Sequence, residues 1–91
     1  MNPVVDNAAA HRFELPVEDD LAVAYYRNEG DRIILTHTEV PRQLSGRGIG
    51  SRLAHGVFET LRATGCKVEA RCPFMADFVR RHPEYADLLV V

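Results

Sequence analysis

Residues 40–53, VPRQLSGRGIGSRL, lead from the end of an apolar run into an amphipathic one through three glycines at alternate positions, Gly46, Gly48 and Gly50. A strand that gives way to a helix through such a loop leaves the first amides of the helix without intrahelical acceptors, and the positive end of the helix dipole adds to them. Glycines let the backbone turn tightly and come close to a ligand. The segment therefore reads as a cradle for phosphate or pyrophosphate at the end of a strand. It is not a GxxxxGK[ST] loop, because no lysine follows Gly50, and it is not GxGxxG, because Ser51 stands where the third glycine is needed.

The chain has 91 residues, 46% of them hydrophobic, enough for one small core and one domain. A net charge of -2 offers no general attraction for nucleic acid, although Arg42, Arg47 and Arg52 put positive charge around the glycine loop. The expected polyanion is therefore small and local. No apolar run resembles a signal peptide or approaches a membrane span, so a cytoplasmic monomer with no membrane partner is expected. Cys66 and Cys72 lack a second pair or a histidine cluster at ligand spacing. Reduced thiols and no metal follow.

Residues 1–10 show little periodicity and read as a flexible N-terminus. The remainder reads as β-β-β-α-β-α. Residues 12–17 make a short strand; residues 21–27 and 32–40 make a hairpin about a turn at 28–31, with Ala22, Ala24 and Tyr26 on one face and Val23 and Tyr25 on the other. Residues 48–64 place Leu53, Ala54, Val57, Phe58 and Leu61 on one helical face, and Gly65 suits the position just past the helix end. Residues 66–72 alternate, with Cys66, Val68, Ala70 and Cys72 on one side. Pro73 opens a second helix with an apolar stripe of Phe74, Met75, Phe78 and Val79, and Pro83 stops it. The tail is expected to pack back through Tyr85, Leu88 and Leu89. His55 and His82 read as structural.

Strand, helix and strand in this order make the 32–40 and 66–72 strands parallel neighbours, with their carboxyl ends on one edge of the sheet. Ligands of open α/β sheets bind at that edge, which here collects Glu39, Val40, the glycine loop and Cys72.

At this point the chain resembles the GNAT-type N-acetyltransferases, specifically their small single-domain branch. Gln43-Leu44-Ser45-Gly46-Arg47-Gly48 fits the Q/R-x-x-G-x-G/A signature, and Gly48-Ile49-Gly50-Ser51-Arg52-Leu53 resembles the family's helix start. His37-Thr38-Glu39-Val40-Pro41, Cys72-Pro73-Phe74-Met75 and Arg81-His82-Pro83-Glu84-Tyr85 look like the small branch. The resemblance implies a minimal GNAT-like α/β fold over residues 11–91, with a mixed antiparallel and parallel sheet. It implies acetyl-CoA as co-substrate, lodged between two splaying strands. The pyrophosphate would lie on Gly46, Arg47, Gly48, Ile49, Gly50 and Ser51, the pantetheine arm along Thr38, Glu39 and Val40, and the thioester near Glu39 and Cys72. There is no room for the N-terminal helices with which longer members bind the acceptor, so the primary amine, a small molecule or a protein lysine, is left unspecified.

Transfer of acetyl to an amine needs the reactants held in attack geometry, a proton acceptor for the amine and a proton for the departing thiolate. Cys72, between a strand end and Pro73, sits where a helix N-terminus stabilises a thiolate. It can serve as nucleophile or as acid, or simply close the buried face of its strand. Glu39 is the candidate base, with a solvated strand glutamate as the plain alternative. His37 shares its face and titrates in a range suited to proton relay, against the alternative of a histidine satisfied within the sheet. Cys66, at the other end of its strand, reads as core. Two rival functions remain: a CoA- or acyl-CoA-binding module without turnover, and a phosphate- or nucleic acid-binding loop. The last is disfavoured by the net charge and the lack of interleaved aromatics.

Overall fold

Hydrogen bonding in the computed structural model, which describes residues 3–90, joins five strands into one sheet in chain order. They are β1 (Val5–Asn7), β2 (Arg12–Val17), β3 (Asp20–Glu29), β4 (Arg32–Glu39) and β5 (Lys67–Ala70). Pairs from β1 to β4 are antiparallel; β4 and β5 are parallel, with helix α1 (Ile49–Thr64) between them in the chain. Helix α2 (Pro73–Arg81) follows β5. The expected hairpin and crossover are both present.

Alternation along the strands gives the sheet one greasy face. Phe13, Leu15 and Val17 of β2, Ala22, Ala24 and Tyr26 of β3, Ile33 and Leu35 of β4 and Val68 of β5 share a buried cluster with Leu53, Val57, Phe58 and Leu61 of α1 and Met75, Phe78 and Val79 of α2. Helix α1 packs on β2 and β3, and α2 on β4 and β5. The two alanines of β3 leave room for the bulkier residues of α1. The opposite face has no helix among these contacts. Val23 and Ile34 lie outside the cluster yet are buried, at 4% and 0% exposure, under a lattice of polar neighbours. That lattice includes Arg12 bonded to Glu14 at 2.6 Å, and Glu69 bonded to both Arg32 and Arg71. Asn7 and then Arg12 hold the Glu14 carboxyl below the usual carboxylate range, and Arg71 and then Arg32 do the same for Glu69.

Several boundaries differ from the reading of the sequence. The start of the chain, where no strand was assigned, contributes an edge strand, Val5–Asn7, and a 3₁₀ turn, Ala8–Ala10. Its Met1 and Asn2 lie outside the described residues. The hairpin turn narrows to Gly30 and Asp31, since Glu29 pairs with Arg32, and Gly30 at φ 63° occupies the first turn position, where a two-residue loop of II′ type requires glycine. The strand expected over residues 66–72 stops at Ala70, for a reason given below.

The C-terminal segment is built on the helices. Pro83–Leu88 form a 3₁₀ turn with Tyr85 and Leu88 buried, Leu89 bridges Val68, and the Val90 amide donates to the Val68 carbonyl at 2.8 Å. The Tyr85 hydroxyl donates to Glu59 at 2.7 Å, so His55 Nδ1, 3.1 Å from the same oxygen, must be the donor of that second bond. His55 and His82 both pack their rings on Phe78, the packing role expected of them.

Burial, reinforced by the bond to Glu59, pushes the Tyr85 hydroxyl up to about 12; burial and a 2.6 Å bond to Asp6 do the same for Tyr26. An unfolded tyrosine ionises near about 10. Each phenol therefore contributes stability that is complete below about pH 10 and is lost as pH rises through about 12. Phenolate absorbance should show these two tyrosines ionising together with unfolding, and Tyr26→Phe should flatten the fall in stability over that window. Free ionisation of both in a still-folded protein near pH 10 would contradict this.

Candidate acyl-transfer site

At the end of β4 the chain passes Val40 and Pro41 into a 3₁₀ turn, Arg42–Leu44, pinned by Leu44 at 1% exposure. Gly46 and Gly48 then take φ of 78° and 71°, and a Cβ at either would meet no atom within 4 Å. They are glycines for backbone conformation, with open space where a ligand can approach. Gly48 caps α1 without a side-chain bond, and the first backbone bond of that turn runs from the Arg52 amide to the Gly48 carbonyl at 3.1 Å. The amides of Ile49, Gly50 and Ser51 are left for another acceptor. They border an open groove of about 310 Å³, whose remaining walls are Val40, Leu44, Ile49 and Phe74 with the backbone of Ser45, Gly46 and Gly48.

Two expectations change here. Gly50 is a glycine for packing: a Cβ there would lie 2.8 Å from Cζ of Phe74. Phe74, expected in the buried stripe of α2, is 37% exposed and lines the groove, because Pro73 starts the helix at the sheet edge and puts the next residue on its rim. A glycine in the first turn of a good helix was the available signal for such a close neighbour. The Arg47 guanidinium pairs with Glu18 in the β2–β3 turn, at 2.9 Å, and Arg47 is not among the groove-lining residues.

Beside this loop the sheet forks. β4 and β5 pair only from Arg32 with Lys67 to Leu35 with Ala70. The Leu35 carbonyl then accepts from the amides of both Arg71 and Cys72, each at 3.0 Å, which ends the ladder and cuts β5 short. Across the other edge, Leu35 pairs with Tyr26 and His37 with Tyr25, so Thr36 is an extra residue, a bulge that bends β4. β4 runs on beside β3 alone to Glu39.

The expected site residues fall into two pairs. Thr38 Oγ1 lies 3.2 Å from Cys72 Sγ across the fork. Cys72 is 4% exposed and caps α2, so its sulfur sits at the positive end of a helix. His37 Nε2 lies 3.1 Å from Glu39 Oε2, both side chains are more than half exposed, and the His37 ring is stacked beside Tyr25. Because strand residues alternate, this second pair is on the open face of the sheet while Thr38 points to the helix side. Glu39 and Cys72 thus flank β4 from opposite faces rather than meeting. Cys66 is partly buried against the core at the far end of β5. Among the described residues no group of three or more His, Cys, Asp or Glu is placed to hold a metal. Leu44 and Ser45 of the signature line the groove as well, and Tyr25 and Phe74 join the site without having been singled out for it.

Comparison with known proteins agrees with this geometry. The GCN5-related N-acetyl-transferase family model matches residues 12–88. Protein NATD1 of Bos taurus is 35% identical over 65 residues, 70% of this chain and 58% of the relative, and that of Danio rerio is 31% identical over 74 residues, 78% and 67%. The chain thus spans about three fifths of the length of the mammalian relative. A GCN5-like protein from Staphylococcus aureus, solved by NMR, superposes with a TM-score of 0.72 at 26% identity, over 98% of this chain and 89% of that one. A forked five-stranded sheet with a glycine cradle at the fork, and a family match over nearly the whole chain, lead to one statement: the protein belongs to the GCN5-related N-acetyltransferase family.

Proposed function

We propose that the protein is an acetyl-CoA-dependent N-acetyltransferase acting on a primary amine. The observation that carries this reading is the fork at Leu35, which opens beside free helix-start amides and a groove of about 310 Å³. The pyrophosphate of acetyl-CoA accepts from the amides between Gly46 and Ser51, its pantetheine arm runs along Thr38, Glu39 and Val40, and the thioester reaches the fork beside Cys72. The amine approaches from the open face of the sheet. Its nitrogen attacks the carbonyl carbon, its proton passes to Glu39 with His37 as relay, and the departing CoA thiolate takes a proton from Cys72. In a two-step variant Cys72 carries the acetyl group between donor and acceptor. No helix among the described residues is long and apolar enough to cross a membrane, and unpaired thiols at Cys66 and Cys72 suit a reducing compartment such as the cytoplasm, to which we assign the activity.

The test is release of free thiol from acetyl-CoA with a panel of alkylamines, polyamines and lysine peptides, paired with calorimetric CoA binding. Gly48→Val should abolish that binding, because a β-branched side chain at φ 71° shifts the loop and fills the approach to its amides. The strain costs about 1–2 kcal/mol and leaves a folded protein for the comparison. Binding without thiol release for any amine would favour a CoA-binding module; unchanged CoA affinity in folded Gly48→Val would remove the cradle.

A further inference from the structure

The loop that forms the cradle is tied to a part of the chain remote in sequence. Gln43 Nε2 donates to Asp20 Oδ1 at 2.8 Å, and Arg47 pairs with Glu18 at 2.9 Å, so one tie ends on the first residue of β3 and the other in the β2–β3 turn beside it. Glu18 and Asp19 are the two residues of that turn, since Val17 pairs with Asp20, and Glu18 has φ 57°. A two-residue hairpin with positive φ at its first position favours glycine there, and a glutamate holds it under strain. The side chain that this strained residue carries is the one that reaches Arg47. Between and beside the tie points lie Gly46 and Gly48, whose Cβ positions meet nothing within 4 Å. No side-chain packing holds these two residues, so between its buried anchors, Leu44 and Ile49, the loop is tied by these two polar contacts.

From this we infer that Glu18 and Asp20 position the glycine loop, pre-ordering the cradle so that less conformational freedom is lost when an anionic ligand binds. The inference rests on the reading of the loop as the CoA phosphate cradle. It makes ligand affinity depend on a turn that touches no part of the groove lining. An exposed ion pair is a weak tie, so the effect of one is small and of both larger.

The test uses the whole chain with CoA as probe. Glu18→Ala should raise the CoA dissociation constant about threefold and Glu18→Ala with Asp20→Ala together about tenfold, since alanine leaves neither tie an acceptor. KM for acetyl-CoA should rise in parallel and kcat stay unchanged. Without ligand, the NMR order parameters of the Gly46 and Gly48 amides should fall in these variants. Glu18→Gly separates positioning from mere stability: it removes the tie but relieves the φ strain, so affinity should fall while the Tm holds or rises by about 3 °C. Unchanged or tighter CoA binding in the variants would overturn the inference, as would weaker binding with unchanged order parameters. If the unaltered protein does not bind CoA, the reading of the cradle fails instead, and the order parameters alone decide whether the turn orders the loop.

Discussion

Replacing Cys72 with alanine should slow acetyl transfer by about a hundredfold or more while leaving CoA affinity unchanged, the effect expected when a proton donor or nucleophile is lost from a reacting centre. The thiol is 4% exposed and 3.2 Å from Thr38 Oγ1, outside the glycine groove but at the closed end of the fork, where the thioester arrives in the proposed arrangement. The two chemical roles separate by mass. A nucleophile leaves one acetyl group on Cys72 after incubation with acetyl-CoA and no amine, whereas an acid leaves none. Cys66→Ala is the control and should keep activity. Full turnover by Cys72→Ala would leave transfer to positioning, with Glu39 or a water as base, and would make Cys72 a packing residue of the sheet edge.

The largest effect on stability should come from Phe78→Ala. Its ring is fully buried and stacks on Phe58 at 5.9 Å and on His82 at 4.3 Å, with His55 edge-on at 4.9 Å and Tyr85 at 6.1 Å. It therefore joins α2 to α1 and to the C-terminal 3₁₀ turn at once. Loss of a buried phenylalanine costs about 3–5 kcal/mol, from a total that for a domain of this class is about 5–15 kcal/mol. The Tm should fall by about 20 °C, and the midpoint of urea unfolding should fall with an unchanged slope. Phe74→Ala, at 37% exposure, should cost under about 1 kcal/mol in the same experiment. Equal costs for the two would mean that the aromatic seam does not hold the helices together.

The contrast between these phenylalanines shows how far the chain could be read unfolded. Strand β2 coincides with its expected range because alternation is a local property, and α1 begins and ends within a residue of expectation because Gly48 and Gly65 both take left-handed φ at its ends. Pairings between distant segments were beyond such reasoning. Val5–Asn7 is too short to carry a period and becomes a strand only because Arg12–Glu14 is there to pair with it. Phe74 and Phe78 sit on one apolar stripe in the sequence, and only the docking angle of α2 separates the rim residue from the core one. The glycine loop was legible as a cradle since its geometry is its own, but the direction of Arg47 was not, because Glu18 lies 29 residues away. Thr38 and Cys72, 34 residues apart, both stood among the expected site residues, while their contact across the fork depends on the place where the ladder stops.

The bulge beside that stopping place has a simple origin. From the Tyr26–Leu35 pair to the Tyr25–His37 pair, β3 advances one residue and β4 advances two. The opening in the sheet is thus encoded as a length rather than as a residue type. The surplus residue could have many identities, and what matters is that β4 has one more step to place than its neighbour and must lean aside to place it. A chain of the same topology and composition, one residue shorter at this point, would carry its parallel ladder past Leu35 and close like an ordinary sheet, with no slot for anything to enter.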